Sequence, residues 1–198
     1  MVGLREKEMR YTMGRPKKCS IPYTGDKKHM EEISRHAADS RKYRERKKAV
    51  EELHEKIVNG RNRVSGGADE DTDTTLWQTV IAYQNYPFYT SSGLPFSYTV
   101  KCRKNGEYSG ELIVSRKEGS KTLTRSSVML AFHTVLEAIT TTDIIDSAGE
   151  IHTVWIPSEY KGPKAIGQIF GISYVYSLFW KWKLIKVPGK VEDKLKGK

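Results

Sequence analysis

The chain has 198 residues, which suffices for one domain of ordinary size with appendages, and its hydrophobic content of 37% is low enough to exclude burial of every segment. The formal net charge of +10 favours nucleic acid, an anionic membrane surface or an acidic protein as the partner. The two cysteines, Cys19 and Cys102, and the lack of any Cys-x-x-Cys pattern exclude a disulfide-rich secreted scaffold.

The positive charge is concentrated at the two ends of the chain. Residues 1–63 hold 18 Lys/Arg and 10 Asp/Glu, and residues 181–198 hold 7 and 2. Residues 64–180 hold 9 and 12, so we expect a near-neutral globular middle flanked by basic segments. Charged residues at positions 5–8 interrupt any apolar signal-peptide core, which predicts an intracellular protein with reduced thiols.

Residues 1–25 are predicted to form an extended basic arm, because glycine and proline recur there and no hydrophobic period is sustained. The step Gly14-Arg15-Pro16 resembles the core of an AT-hook, a short arm that lies in the minor groove of A·T-rich DNA. Together with Lys17 and Lys18, Arg15 would meet the strong negative potential of a narrow groove. A solvated basic tail is the alternative interpretation.

Residues 26–58 are predicted to form one long helix, about 48 Å in length at 1.5 Å per residue. Asp26 can cap its start, and Asn59-Gly60 can end it. Apolar residues recur at helical spacing in both halves, at Met30, Ile33, Ala37, Val50, Leu53 and Ile57.

The middle of this helix carries the strongest charge signal of the chain, the stretch RKYRERKK at residues 41–48, in which six of eight residues are basic. Part of this set lies on the helix face that carries apolar residues further upstream. A helix face that becomes basic cannot pack against a hydrophobic core there, so it must contact water or an anion. We expect these cations to neutralise nucleic-acid phosphates, with a solvated helix face as the alternative. The candidates are Arg41, Lys42, Arg44, Arg46, Lys47 and Lys48.

The second half of the chain is predicted to hold the globular domain. Residues 59–74, rich in glycine and acidic residues, are predicted to be a flexible linker. Residues 75–187 carry nearly all the aromatic residues and predict a small α+β domain, a mixed sheet with two packed helices. Residues 188–198 are predicted to be a basic tail.

The order of elements in this domain is predicted as β-β-β-α-β-α. The stretch LWQTVIAY at residues 76–83 is predicted to be the first strand, and the alternating stretch PFSYTVKC at 95–102 the second. Asn105-Gly106 predicts a hairpin turn into a third strand at 111–117. The remaining predicted elements are a helix capped by Thr124, a strand at 150–156 and a last helix opened by Gly162-Pro163.

A third group of cations falls between residues 101 and 125, which hold seven of the nine Lys/Arg of residues 64–180. They are expected at the ends of one hairpin and at the start of the following helix, where a phosphate is favoured. A hydrated hairpin tip is the alternative. These candidates are Lys101, Arg103, Lys104, Arg116, Lys117, Lys121 and Arg125.

Two other classes of function find little support in the sequence. Residues 165–180 are uncharged and carry Gly167 and Gly171 at a membrane-helix packing spacing, but they are shorter than the roughly 20 residues of a membrane span, so we expect no membrane. The five histidines are scattered, and no P-loop, nucleophile elbow or dinucleotide-binding glycine pattern occurs. We therefore predict a protein that is not an enzyme and uses no cofactor and no metal.

The stretch YPFYTSSGLPFSYTVK, followed by GELIVSRKEGSKTLTRSSV and GPKAIG, is similar to small proteins carried by phages and mobile elements of Firmicutes, among them anti-CRISPR inhibitors. The resemblance covers about residues 75–185. It implies a compact, charged, non-catalytic protein of the bacterial cytoplasm that binds an RNA-guided nuclease or its nucleic acid, duplex DNA or guide RNA. The alternative is a DNA-binding transcription or recombination factor that uses the arm and the basic helix, and a nuclease is a more distant one.

Overall fold

The computed structural model describes residues 27–61 and 70–197, and within them it places five α-helices, one short 3₁₀ helix and six strands. The helices are α1 Lys27–Arg61, α2 Glu70–Ala82, α3 Arg125–Ala138, α4 Ile172–Lys181 and α5 Gly189–Leu195, with the 3₁₀ helix at Pro163–Ile166. The strands are β1 Phe88–Tyr89, β2 Pro95–Cys102, β3 Tyr108–Arg116, β4 Gly119–Thr124, β5 Thr140–Ile145 and β6 Ile151–Ile156.

The chain divides into two units, Met1–Asp39 and Ser40–Lys198. In the first unit, the described residues from 27 onward are helical, and exposed pairs four residues apart join Arg35 to Glu31 and His36 to Glu32, each at 3.9 Å. The candidates Arg15, Lys17 and Lys18 of the predicted arm lie outside the described residues.

The α+β class is confirmed. Strands β1 to β4 form a four-stranded sheet in the order β1-β2-β3-β4, and β5 pairs with β6 in a separate two-stranded sheet. All strand pairs among the described residues are antiparallel, so two small antiparallel sheets stand where one mixed sheet was expected. Each strand follows its partner through a short turn, which makes antiparallel pairing the direct result of the chain order.

The inner face of the four-stranded sheet is the one that alternation in β2 predicts. Phe96, Tyr98 and Val100 are buried, and the Tyr98 hydroxyl donates to the Val80 carbonyl at 2.7 Å. Cys102 continues this alternation in the sequence but is exposed, because the pairing register shifts between Val100 and Cys102. Such an irregularity turns the following residues away from the pleat.

Helix α3 begins as predicted. The Thr124 hydroxyl accepts a hydrogen bond from the Ser127 amide at 3.3 Å and caps the helix. Its apolar stripe faces β3, β4 and α4. The buried members of that stripe are Val128, Ala131, Phe132 and Val135.

The predicted first strand at residues 76–83 is wrong, because this stretch lies almost entirely in α2. Glu70, Asp71 and Asp73, which the sequence analysis assigned to a linker, form the first turn of that helix, where acidic residues are favoured by the helix dipole. The buried positions recur at helical spacing, as at Leu76 and Val80.

The core extends into α1, so the structure differs from the expected division of the chain at residue 75. Leu53 and Ile57 are buried in the same core cluster as Leu76. The Thr79 hydroxyl also donates to the Ala49 carbonyl at 3.1 Å, which ties α2 to α1. Helix α1 ends at Arg61 and α2 begins at Glu70, so only residues 62–69 of the expected linker lie outside the described residues.

The last predicted helix is split in two by glycines with positive φ. The 3₁₀ helix starts at Pro163, as expected, but it ends before Gly167, and α4 begins only after Gly171. At Gly171, with φ +73°, a Cβ would collide with Leu123 of β4, so this close approach requires glycine. Within residues 27–61 and 70–197, no helix combines the length and the apolar character that crossing a membrane requires.

The predicted strand at 150–156 is confirmed as β6, and β5 is its unforeseen partner. Every residue of β5 is exposed, including Ile144 and Ile145. Residues 188–198, expected to be a tail, include α5, whose Leu195 is buried in the core.

Replacing Leu53 by alanine tests whether α1 belongs to the folded core. Because this side chain is fully buried, we expect the free energy of unfolding to fall by about 2–5 kcal/mol in urea denaturation. The exposed Glu55 on the same helix supplies the control, and Glu55→Ala should change stability by less than about 0.5 kcal/mol. Equal effects of the two variants would place α1 outside the cooperative unit.

Candidate functional site

A cavity of about 420 Å³ opens beside the second half of α1, and we call it the basic cavity. Three separate parts of the chain line it: the middle of α1, the end of α2 with the residues that follow, and the end of α4. Four cationic side chains face a single carboxylate there. The lining residues are Tyr43, Arg46, Lys47, Val50, Glu51, His54, Tyr83, Tyr86, Lys181 and Lys183.

Arg46 is fixed in the wall of the basic cavity. Its guanidinium donates to the carbonyls of Ala82 and Gln84, both at 3.3 Å, at the C-terminal end of α2. The same group lies 5.1 Å from the ring centre of Tyr86 and 5.7 Å from that of Tyr83. A cation is stabilised both by the partial negative charge of a helix C-terminus and by the face of an aromatic ring. Arg46 therefore stabilises the fold as well as carrying charge.

The two tyrosines form an aromatic wall. Tyr83 and Tyr86 meet edge to face with their ring centres 5.5 Å apart, and the Lys181 ammonium lies 4.7 Å from the Tyr86 ring centre. Burial, with a smaller contribution from Tyr86, raises the pKa of Tyr83 to about 12, so its phenol stays neutral at physiological pH.

Lys183 has a backbone conformation that its residue type disfavours. It follows α4 with φ +60°, and its amide donates to the Trp180 carbonyl at 3.0 Å while the Leu184 amide donates to the Phe179 carbonyl at 2.8 Å. These two bonds are the Schellman ending of a helix, in which glycine is the usual residue at the left-handed position. Lysine there costs roughly 1–2 kcal/mol relative to an unstrained backbone.

His54 joins α1 to the end of α4. Its Nε2 donates to the Trp182 carbonyl at 2.7 Å, and its ring meets Trp155 edge to face at 4.8 Å. Burial lowers the pKa of His54, the hydrogen bond to Trp182 opposes this, and the nearby charge of Lys183 lowers the pKa further. The imidazole is therefore neutral at pH 7, with its hydrogen on Nε2.

A second cavity of about 260 Å³ adjoins the basic cavity and shares Tyr86 and Lys181 with it. We call it the aromatic cavity, because rings dominate its lining. Its other residues are Pro87, Phe88, Tyr89, Ser177, Trp180, Leu195 and Lys196.

The cations predicted at 41–48 divide into an exposed set and one half-buried group. Arg46 is half-buried, whereas the other five side chains are exposed. Lys47 pairs with Glu51 at 3.6 Å and Lys48 pairs with Glu52 at 3.4 Å. The exposed set is Arg41, Lys42, Arg44, Lys47 and Lys48.

The seven cations predicted at 101–125 are distributed over the β2–β3 hairpin, β4 and the start of α3, and they do not form one cluster. Arg103 and Lys104 lie beyond the start of β3 and Arg116 and Lys117 lie at its end, about 27 Å away at 3.4 Å per residue, while Lys101 lies between them opposite the first half of β3.

Most of these seven also have local partners. Lys101 pairs with Glu111 at 2.8 Å and Arg103 with Glu107 at 3.9 Å. Lys121 lies over Phe170, Arg125 over Trp77, and Arg116 Nε is buried with no hydrogen-bond partner among the described residues. The cap that Thr124 provides occupies the start of α3, where a phosphate was expected.

Sequence reasoning identified Arg46 and Lys47 of the basic cavity and missed its remaining residues. Lys181 and Lys183 were counted only as part of the basic C-terminal segment, and Tyr83 and Tyr86 were not predicted as site residues. A signal was present in the pair of lysines that directly follows a charge-free aromatic stretch. Comparisons with protein-family models, with curated proteins and with solved structures found no match to this chain.

His54 makes stability depend on pH in a defined direction. Its pKa is 6.5 when unfolded and lower when folded, so the unfolded chain binds the proton first as the pH falls. The contribution of neutral His54 is therefore complete above that unfolded pKa and is lost as the pH falls below it.

We expect His54→Gln, which keeps a donor for Trp182, to lose less stability than the wild type between neutral and mildly acid pH. Urea denaturation at a series of pH values measures this, and the exposed His36 supplies the control variant His36→Gln, which should follow the wild type. Parallel curves for the wild type and His54→Gln would show that His54 does not titrate in this way.

Proposed function

We propose that this chain is a non-enzymatic protein that binds nucleic acid through the middle of α1 and the basic cavity beside it. The observation that carries the proposal is the continuity of charge on this part of the fold. Exposed cations run along residues 41–48, and the same stretch of helix contributes Arg46 and Lys47 to the cavity, where Lys181 and Lys183 join them.

The exposed cations are available to an external anion. Among the described residues, no ion pair involves Arg41, Lys42 or Arg44, although Arg44 Nε donates to the Ser40 carbonyl at 3.3 Å. The pairs that Lys47 and Lys48 make are exposed, and such helix pairs contribute only about 0.3–0.5 kcal/mol. Phosphates can therefore replace these carboxylates at little cost.

A preformed helix favours such binding for a second reason. Ordering a flexible segment on a ligand costs roughly 1–2 kcal/mol per residue in backbone entropy. The described part of α1 is already helical, and its second half is fixed by Leu53, Ile57 and Arg46. The binding free energy of its cations is thus not spent on ordering the backbone.

In its sharper form, the proposal is that the nucleic acid belongs to an RNA-guided nuclease that this chain inhibits in the cytoplasm of a bacterial cell. The resemblance to anti-CRISPR inhibitors over residues 75–185 supports this form. The alternative, a transcription or recombination factor on duplex DNA, is favoured by the Gly14-Arg15-Pro16 step of the sequence.

Replacing Arg41, Lys42 and Arg44 together by alanine tests the phosphate contacts. Alanine preserves the helix, and we expect weaker binding with a salt slope smaller in magnitude by about 2.7, because each phosphate contact contributes about 0.9 on duplex DNA. Fluorescence anisotropy with labelled duplex DNA and labelled single-stranded RNA, between about 50 and 200 mM salt, measures both quantities.

A matched control uses three exposed cations away from this helix. The triple variant Arg103→Ala, Lys104→Ala and Lys117→Ala removes the same charge and should keep most of the affinity and the slope. If both triples weaken binding equally, the interaction is a diffuse effect of net charge. If neither does, the proposal for α1 fails.

Cleavage assays separate the two forms of the proposal. We expect the wild-type chain to reduce target cleavage by a susceptible RNA-guided nuclease, and the α1 triple variant to lose that inhibition. A pull-down with and without nuclease treatment shows whether nucleic acid bridges the two proteins. Tight duplex binding with no inhibition across a panel of such nucleases would favour the DNA-binding factor.

A further inference from the structure

We propose that the basic cavity is a nucleotide site that holds one unpaired base with its phosphate, so that the chain prefers single strands to duplexes. This inference rests on the proposed function and assigns a ligand class to one part of its surface. Four features of the cavity carry it: its size, its uncompensated charge, the exposed ring at its rim and the backbone of Lys183.

The size and charge of the basic cavity suit a phosphorylated ring. Its volume of about 420 Å³ lies within the range of about 300–1,000 Å³ that small-molecule sites occupy. The one carboxylate, Glu51, pairs with Lys47 at 3.6 Å. None of the ion pairs among the described residues involves Arg46, Lys181 or Lys183, so no carboxylate there neutralises them, although Arg46 also donates to the Ala82 and Gln84 carbonyls.

The rings of the cavity suit a base. Tyr43 is 69% exposed, the highest value among the exposed large hydrophobic side chains of the second unit apart from Ile145 and Ile151 on the β5–β6 hairpin. It lies on the same helix as the exposed cations of 41–48. An exposed tyrosine beside cations is the combination with which proteins stack unpaired bases and hold their phosphates.

The backbone of Lys183 is a further reason to assign a ligand to the cavity. Glycine would satisfy the same helix ending without the steric cost, and both Schellman hydrogen bonds are made by backbone groups. The hydrogen bonds of this helix ending therefore do not require a lysine side chain at this position. Contact between its ammonium group and an anionic ligand in the basic cavity explains why lysine occupies this strained position.

The preference for an unpaired strand follows from the rings. A base in a duplex has both faces stacked on its neighbours, so only an unpaired base can place a face on tyrosine. The adjoining aromatic cavity shares Tyr86 and Lys181, and its own lining includes Tyr89 and Trp180. A strand with one nucleotide in the basic cavity therefore meets further rings, whereas a free mononucleotide does not use them.

The test uses the full chain and three substitutions. Tyr43→Ala removes the exposed ring, and Tyr43→Phe restores an aromatic face without the hydroxyl. Lys183→Gly removes the ammonium and relieves the strained backbone, while Lys183→Arg keeps the charge. Binding is measured by fluorescence anisotropy with a short single-stranded RNA and with a duplex of the same sequence, and by competition with adenosine monophosphate and with inorganic phosphate.

We expect Tyr43→Ala to weaken single-strand binding about 5- to 150-fold, the usual effect of losing one stacking ring, and to change duplex binding far less. Tyr43→Phe should retain single-strand affinity. Lys183→Gly should weaken single-strand binding while keeping or raising the thermal unfolding midpoint, which a purely structural role for this lysine would not produce. Lys183→Arg should bind like the wild type.

The remaining outcomes separate this inference from the proposed function. If the Arg41, Lys42 and Arg44 triple weakens binding but the Tyr43 and Lys183 variants do not, the nucleotide site is overturned and the nucleic-acid function stands. If neither strand nor duplex binds and adenosine monophosphate does, in a manner sensitive to both side chains, the site holds a free nucleotide and the proposed function fails. Competition by inorganic phosphate as strong as by the mononucleotide would overturn base recognition.

Discussion

The burial of Leu53 and Ile57 is the constraint on which the arrangement of the candidate site depends. Positions four and seven residues apart share one face of a helix, so fixing Leu53 and Ile57 in the core also fixes Arg46 and Val50 along the same side of α1. His54 then reaches the end of α4. The exposed cations of 41–48 lie on the same helix, so a rotation of α1 would move both sets at once.

The parts of the fold that were predictable are those with a local signal. Alternation identified β2, the Thr124 cap located α3, and the Asn105-Gly106 turn placed the hairpin. The stretch at 76–83 misled because Trp77 and its β-branched neighbours favour a strand when considered alone. The acidic residues just before this stretch favour a helix over a strand, because they form the first turn of α2 and are not part of a linker.

The candidate site was predictable only where it lies in one segment. The run at 41–48 is visible as a cluster of charge, and a single helix presents it. The basic cavity joins that helix to residues roughly 40 and 135 positions further along the chain, and only the packed core brings these together. Nothing in the local sequence around Lys181 indicates that it will lie over Tyr86, because cation–ring contacts are properties of tertiary structure.

The two-stranded β5–β6 hairpin has a consequence for how the protein behaves at high concentration. Among the described residues no further strand covers either of its outer edges, and Ile144, Ile145 and Ile151 are exposed, so it offers a template for intermolecular pairing. Its ionisable side chains include carboxylates and no lysine or arginine, and like charges oppose the approach of a second hairpin. The Glu150 amide and His152 hold the pKa of Asp146 below its usual value, so this carboxylate stays ionised in mildly acid solution.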